Sequence, residues 1–212
     1  MLIEIWSDIA CPWCYLGKRR FEHALERFDG RDEVEVVWRS FELDPHAPKE
    51  ADVDVATIVA RKYGRPREEI VRQHAQMTEM AAAEGVEFRF DLTRRTNTFD
   101  AHRLLHLARE HGRQDAMKER LLRANHAEGV PISDHAELER LAVEVGLPAE
   151  QARETLLTER FAEAVRDDER VASELDVHGV PFFVVDRRMA VSGAQQPELF
   201  LKMLTKAREL VA

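Results

Sequence analysis

Cysteine is the scarcest reactive residue in this 212-residue chain: there are two, both in the tetrapeptide Cys11-Pro12-Trp13-Cys14. Two cysteines cannot build a disulfide framework, and a staple between these two would close a loop too small to constrain the unfolded chain. No second Cys-X-X-Cys exists to complete a four-cysteine zinc site. His102 and His106 do have metal-ligand spacing on one helical face, which leaves a Cys₂His₂ set open from spacing alone, although the expectation is no metal. Long apolar runs are also missing, which excludes a membrane-spanning helix. The N-terminus has neither a basic leader nor an apolar core of signal length, so the expectation is a cytoplasmic protein. Positive charge is in deficit, with 31 Lys and Arg against 40 Asp and Glu, a net charge of −9 and a pI near 5.5. That balance argues against nucleic acid or an anionic membrane as partner. Internal repeats and low-complexity segments are lacking as well.

The tetrapeptide gains meaning from its setting. It follows the apolar segment Leu2–Trp6 and opens a helical pattern beginning near Tyr15. An ordinary cysteine has a pKa of about 8.5, so only about 3 % is thiolate at pH 7. The first turn of a helix offers unpaired N–H groups and partial positive charge, both of which favour the anion. Cys-X-X-Cys sites so placed are poised for thiol–disulfide exchange. Cys11, at the helix edge, is expected to be the exposed nucleophile, and Cys14, one turn in, the buried resolving thiol. Pro12 suits the first helical position, where its missing N–H costs nothing. Trp13 offers a flat apolar surface beside the sulfur.

Both ends of the chain read as parts of one sheet. Residues 2–7 and 34–41 have strand composition, and Cys14–Phe28 between them reads as a helix with Leu16, Phe21, Leu25 and Phe28 on one face. This is a β-α-β unit with parallel, buried strands. At the other end, Pro181–Val185 reads as a strand, Asp186–Arg188 as a turn, Met189–Val191 as a strand, and a helix starts around Pro197. The middle, from about Ala51 to Glu159, reads as helical. Ala101, Leu104, Leu105 and Ala108 follow i, i+3, i+4, i+7, as do Leu138, Leu141, Ala142 and Val145. Ser133 or Asp134 caps the second of these helices, while Gly146 and Pro148 end it. A further pattern runs through Phe161, Val165, Ala172 and Leu175. The Pro45 and Pro48 segment marks the entrance to the middle. The fold class is α/β, with residues 1–48 and 160–212 forming one discontinuous domain and 49–159 an inserted helical domain. Gly179-Val180-Pro181 stands directly before the apolar strand at 182–185, where proline suits a strand start or an edge.

The whole set of motifs resembles the thioredoxin fold in its DsbA-like form, and within it the FrnE-type DsbA-family oxidoreductases. The matching residues are Ser7-Asp8 with Cys11 through Arg20, Trp38 through Leu43 with Pro45, Asn97-Thr98 with Ala101-His102-Arg103, Gly179 through Val184, and Ser192 through Gln195. The resemblance implies a cis Val180–Pro181 bond facing the sulfurs, with the Val180 backbone pairing with a substrate chain. It also implies thiol–disulfide oxidoreductase or disulfide isomerase activity on a thiol- or disulfide-containing protein or small molecule. No bound cofactor beyond the redox disulfide is implied, and glutathione is a candidate co-substrate. Asn97 and His102 become candidates for a substrate pocket, although Asn97 or Thr98 can simply cap a helix. The chain departs from thioredoxin and DsbA proper where their buried acid lies six positions before the first cysteine; here that residue is Ile5. Neither Glu4 nor Asp8 substitutes for it by default. Two rival functions carry distinct expectations. A glutathione-dependent isomerase or transferase for small aromatic substrates would survive loss of Cys14. A chaperone-like binder would be indifferent to loss of both cysteines.

Overall fold

The computed structural model describes residues 1–50 and 53–210; the expected opening of the helical segment at Ala51 lies outside them. Strand β1 (Leu2–Ser7) pairs in parallel with β2 (Glu35–Ser40) and antiparallel with β3 (Phe182–Val185), and β3 pairs antiparallel with β4 (Met189–Ser192). The sheet order is β2-β1-β3-β4, so the first and last segments of the chain meet at its centre. Strand alternation then divides the apolar residues between two faces. Ile3, Ile5, Phe183 and Val185 enter one core with Phe21, Phe28, Phe200 and Leu204. Trp6, Phe182 and Val184 enter the opposite one with Ala172 and Val177. A strand buried on both faces needs apolar residues at nearly every position, and β1 has them except at Glu4 and the terminal Ser7.

Helix α1 (Pro12–Glu26) covers the first face, packed beside the closing helix α9, Pro197–Glu209. It starts two residues before the expected Cys14, because Cys11 takes the N-cap position and Pro12 the first turn. Phe21 and Phe28 are buried with Leu25 against them, whereas Leu16 is buried outside that cluster. The turn between β3 and β4 places Asp186 and Arg187 at φ of 48° and 53°, the paired left-handed conformation that closes a tight hairpin.

Between β2 and β3 the described chain is helical: α2 (Val55–Tyr63), α3 (Arg67–Ala83), α4 (Phe99–Glu110), α5 (Gln114–Arg123), α6 (His135–Glu144), α7 (Ala149–Leu157) and α8 (Ala162–Glu174). A π-helical turn at Ala124–Glu128 extends α5. Ala101, Leu104, Leu105 and Ala108 meet Leu138, Leu141 and Ala142 in one core, as their spacing predicts, with Val145 at its margin. Asp134 caps α6 by accepting from the N–H groups of Ala136 and Glu137. The pattern through Phe161 and Leu175 is interrupted, since α8 ends at Glu174 and leaves Leu175 exposed. Two contacts tie these helices to the sheet. The Gln114 side chain accepts from Trp38 N–H and donates to Trp38 C=O, completing the free edge of β2 at that residue. Asp168 of α8 accepts from the Ser40 N–H and the Arg39 guanidinium. No described helix is long and apolar enough to cross a membrane.

Candidate active site

Cys11 caps the N-terminus of α1 in an extended conformation, and the N–H of Cys14 donates to its carbonyl at 3.0 Å. Its sulfur lies 3.6 Å from the carbonyl oxygen of Val180. The Val180–Pro181 peptide is cis. Gly17, one turn along α1, faces the Pro181 ring so closely that a Cβ there would lie 2.8 Å from Pro181 Cγ. The motif and the Val-Pro loop therefore meet because a strand end, a helix start and a glycine converge on them.

Both thiols are buried. Cys14 is fully covered, as expected of the inner cysteine, but Cys11 is only 4 % exposed rather than open to solvent. The cause is the Val180 loop lying over the cap position. Trp13 carries the exposure instead, at 41 %. The two thiols sit close enough for each to shift the other's ionisation. A hydrogen bond to Cys14, burial, and the charges of Cys14 and Asp8 hold the Cys11 thiol well above the usual range. Burial works against ionising Cys14 too, but the Cys11 hydrogen bond, the Lys118 charge and the Ser7 hydroxyl outweigh it and bring its pKa down.

Behind the sulfurs lies a polar layer that motif reading missed. Lys118 of α5 is fully buried, donates to the Ser7 carbonyl at 3.2 Å, and stands 5.5 Å from the centre of the Trp38 ring. Desolvation brings its pKa down to about 8, against the pull of Cys14 and Asp8. The buried Asp8 carboxylate accepts from the N–H groups of Ala10 at 3.3 Å and Leu43 at 2.8 Å, and His102 Nε2 lies 3.4 Å away. Burial opposes its charge, yet these partners and Lys118 keep its pKa below the ordinary carboxylate value. His126 is buried with Nε2 2.9 Å from the Ile9 carbonyl, and desolvation pushes its pKa down to about 4. The local signal for Lys118 was faint: it lies beside Met117 and four residues before Leu122, a cation inside an apolar arc.

The remaining candidates fall in several places. His102 is fully buried against Asp8, behind the motif, and lines no open cleft. Asn97 accepts from Phe99 N–H in a turn just before α4, whose N-cap Thr98 makes no side-chain capping bond, and its amide donates to the Pro45 carbonyl and Glu42. His106, which shares α4 with His102, turns instead to Ser40 and Asp168. The two histidines thus serve different carboxylates, and among the described residues no cluster of three or more His, Cys, Asp or Glu side chains forms a metal cage. Ile5 packs in the sheet core, while Glu4 is engaged by Arg39 and Arg187 rather than by a sulfur.

Comparison with known proteins places this geometry. Residues 2–205 match the family described as DSBA-like thioredoxin domain. The chain is 29 % identical over 205 residues to the uncharacterized protein YwbO of Bacillus subtilis (strain 168), covering 96 % of this chain and 95 % of that one. It superposes with a TM-score of 0.94 on the probable DsbA oxidoreductase SCO1869 from Streptomyces coelicolor, at 48 % identity over 99 % of this chain and 90 % of the other. The cytosolic disulfide reductase DsbM from Pseudomonas aeruginosa, also solved with GSH, shares the fold at a TM-score of 0.71 and 22 % identity, covering 99 % of this chain and 100 % of that one.

Proposed function

This chain belongs to the DSBA-like thioredoxin domain family, and from that premise we propose that it is a thiol–disulfide oxidoreductase or isomerase of the FrnE type, with Cys11 as nucleophile and Cys14 as resolving thiol. The observation that carries the reading is the cysteine pair at the start of α1, with the Cys11 sulfur 3.6 Å from Val180 O. Cys11 attacks a substrate disulfide, its sulfur forming a mixed disulfide while one substrate sulfur leaves as thiolate and takes a proton from water. The proton of Cys11 goes to solvent as it attacks, matching the one that the leaving sulfur takes up. Cys14 then attacks the Cys11 sulfur, its proton going to the second substrate sulfur, and the protein is left with a Cys11–Cys14 disulfide. Two electrons have moved from the protein dithiol to the substrate, and the sequence runs backwards for oxidation of a substrate dithiol.

Pro12 and Trp13 tune this exchange from between the cysteines, and Val180 beside Pro181 offers its backbone to an extended substrate. Access to the covered Cys11 sulfur requires that a substrate displace its contact with the Val180 carbonyl. The helical insert, residues 49–159, roofs the site on the side of α5. The reductant or oxidant proposed is glutathione or a protein thiol of the cytoplasm, in keeping with the description of DsbM as cytosolic and its structure with GSH. The test is equilibration with glutathione buffers, combined with single cysteine variants. Cys11→Ser is expected to abolish turnover, and Cys14→Ser to accumulate mixed disulfides detectable by mass. A potential near about −270 mV would make the site a reductase, and one near about −120 to −180 mV an oxidase or isomerase. Normal dithiol oxidation by Cys11→Ser would overturn the assignment.

A further inference from the structure

We propose that Arg20, braced by Glu84 at the end of the inserted helix α3, is a positioning residue for the Val180–Pro181 loop: it holds the Ala194 carbonyl so that the loop stays set for an extended peptide substrate, whereas small disulfides, which bring no backbone to pair, do not depend on it. The inference rests on the oxidoreductase reading and specifies the substrate preference of that site.

A chain of contacts leads from the middle of α1 to the loop over Cys11. Arg20 Nη1 donates to the Ala194 carbonyl at 2.8 Å. One residue earlier, the Gly193 N–H donates to the Pro181 carbonyl at 2.8 Å, a step beyond the β3–β4 pairing of Phe182 with Ser192. Gly193 turns the chain there with φ of 82°, a conformation that glycine adopts without steric cost. The Gln195 N–H donates to the Gly193 carbonyl and the Gln195 amide to the Ser192 carbonyl, so those bonds stay within the turn. Among the described residues the Arg20 bond is the one that ties residues 194–196 to another element before α9 begins. Gly17 and Arg20, at i and i+3, share a face of α1. The first leaves room for the Pro181 ring and the second takes the Ala194 carbonyl, so one helix face fixes the loop from both sides.

The guanidinium is itself held from the insert. Arg20 is buried, and arginine is almost never so unless paired. Its Nε donates to Glu84 Oε1 at 2.8 Å, while His23 Nδ1 lies 3.1 Å from the other Glu84 oxygen. A planar guanidinium serves two acceptors in fixed directions, which a lysine ammonium does not reproduce. Lys18 and Arg19, beside it in the sequence, turn to Glu22, Asp115 and Glu119 instead. The Arg20 charge thus has its own partner, and it stands about 13 Å along the helix from Cys11 at about 1.5 Å per residue. Its influence on the reaction therefore runs through the loop rather than through the field at the sulfur. A peptide must meet the Val180 backbone in register, and a loop that has to be ordered on binding weakens that affinity. Attack on a small disulfide needs no such pairing.

The experiment follows single turnovers of the reduced full-length protein, by rapid quench and mass, on two substrates. One is an extended peptide whose cysteine carries a 2-mercaptoethanol disulfide, and the other is bis(2-hydroxyethyl) disulfide. The two share a leaving group and differ in the peptide backbone. Arg20→Gln is expected to raise the half-saturating peptide concentration by about tenfold or more, with the limiting rate and the small-disulfide rate kept within about twofold, the pattern of lost binding rather than lost chemistry. The potential against glutathione should not move. Glu84→Gln keeps an acceptor for Arg20 and should stay near wild type, whereas Glu84→Ala should weaken the peptide in the same selective way. A folded Arg20→Gln protein with unchanged peptide saturation, or one slowed equally on both disulfides, would refute the role. If that variant does not fold, Arg20→Lys decides: it keeps the charge but not the fork, so a smaller loss confined to the peptide is expected, and no selective loss would refute the proposal. A wild type that reacts with both disulfides while the variants show no selectivity would overturn Arg20 alone; a wild type that attacks neither would overturn the oxidoreductase reading beneath it.

Discussion

At the scale of single residues, the site is built from groups whose burial sets their charge. His126 shows the consequence for stability. Its imidazole is buried, Nε2–H donates to the Ile9 carbonyl, and Nδ1 has no partner that would hold a second proton. Desolvation and the nearby Lys118 keep it neutral down to about pH 4, although Asp8 pulls the other way. An unfolded chain takes up that proton from about pH 6.5 downward while the folded one refuses it, so stability falls between about pH 6.5 and 4. The full effect is about 3 kcal/mol at about 1.4 kcal/mol per tenfold. The carboxylates of Asp8 and Asp168, held below their ordinary value, lose their contribution only as pH drops further, below about 3.8. Half-buried His74, its pKa lowered by desolvation, acts in the same direction from about pH 6.5 downward. His126→Gln, whose amide can keep the bond to Ile9, is expected to lose about 2–3 kcal/mol less than wild type between pH 7 and pH 4.5 in urea titrations. Parallel curves for the two proteins would disprove the assignment. The cysteines were legible because their chemistry is local, two thiols within one turn. Lys118 and His126 were not, because what marks them is the docking of α5 against β2 and the motif, which no local pattern encodes.

At the scale of elements, α1 is caught between helix propensity and packing. Alanine is favoured over glycine inside a helix by about 1 kcal/mol, so Gly17→Ala would stabilise an isolated α1. In the folded protein the added methyl would stand 2.8 Å from Pro181 Cγ and 3.4 Å from Ala194 Cβ. Relieving such overpacking costs about 1–3 kcal/mol. The clash outweighs the propensity gain, and Gly17→Ala is expected to lower the urea midpoint and slow disulfide exchange by displacing the Pro181 loop from Cys11. A raised midpoint with unchanged exchange would mean that the loop yields freely. Periodicity made the elements legible where one face is wholly buried, as at Leu104, Leu105, Leu138 and Leu141. The stretch before Phe99 offered less: α3 spans Arg67–Ala83 but buries only Ile70 and Ala81, so its apolar stripe is too thin to stand out. At the start of α1 the apolar periodicity begins two residues late, and only Pro12, which suits the first helical position, marks the true start, because the capping cysteine carries no side-chain capping signature.

At the scale of the whole molecule, the helical insert and the sheet are one mechanical unit, and Asp168 is the joint. Its carboxylate accepts from Ser40 N–H at 2.9 Å and Arg39 at 3.0 Å, both on β2, and lies 3.3 Å from His106 on α4. Its backbone carbonyl accepts from the indole N–H of Trp6 on β1 at 2.9 Å. One residue of α8 thus holds two strands and a helix of the insert. Asp168→Ala leaves the Ser40 N–H buried without an acceptor and strips Arg39 of one of its two carboxylates, although Glu4 keeps the other. The expected loss is about 3 kcal/mol. It should reach sheet and insert together, because Gln114 and Lys118 of α5 bond Trp38 of β2 and Ser7 of β1 and so couple the same two bodies elsewhere. Tryptophan fluorescence reports α1 and the sheet through Trp6, Trp13 and Trp38, and far-ultraviolet dichroism is dominated by the helices. Both signals should move to the same lower urea midpoint in Asp168→Ala. A dichroism midpoint that stayed in place while fluorescence shifted would show two independently folding bodies.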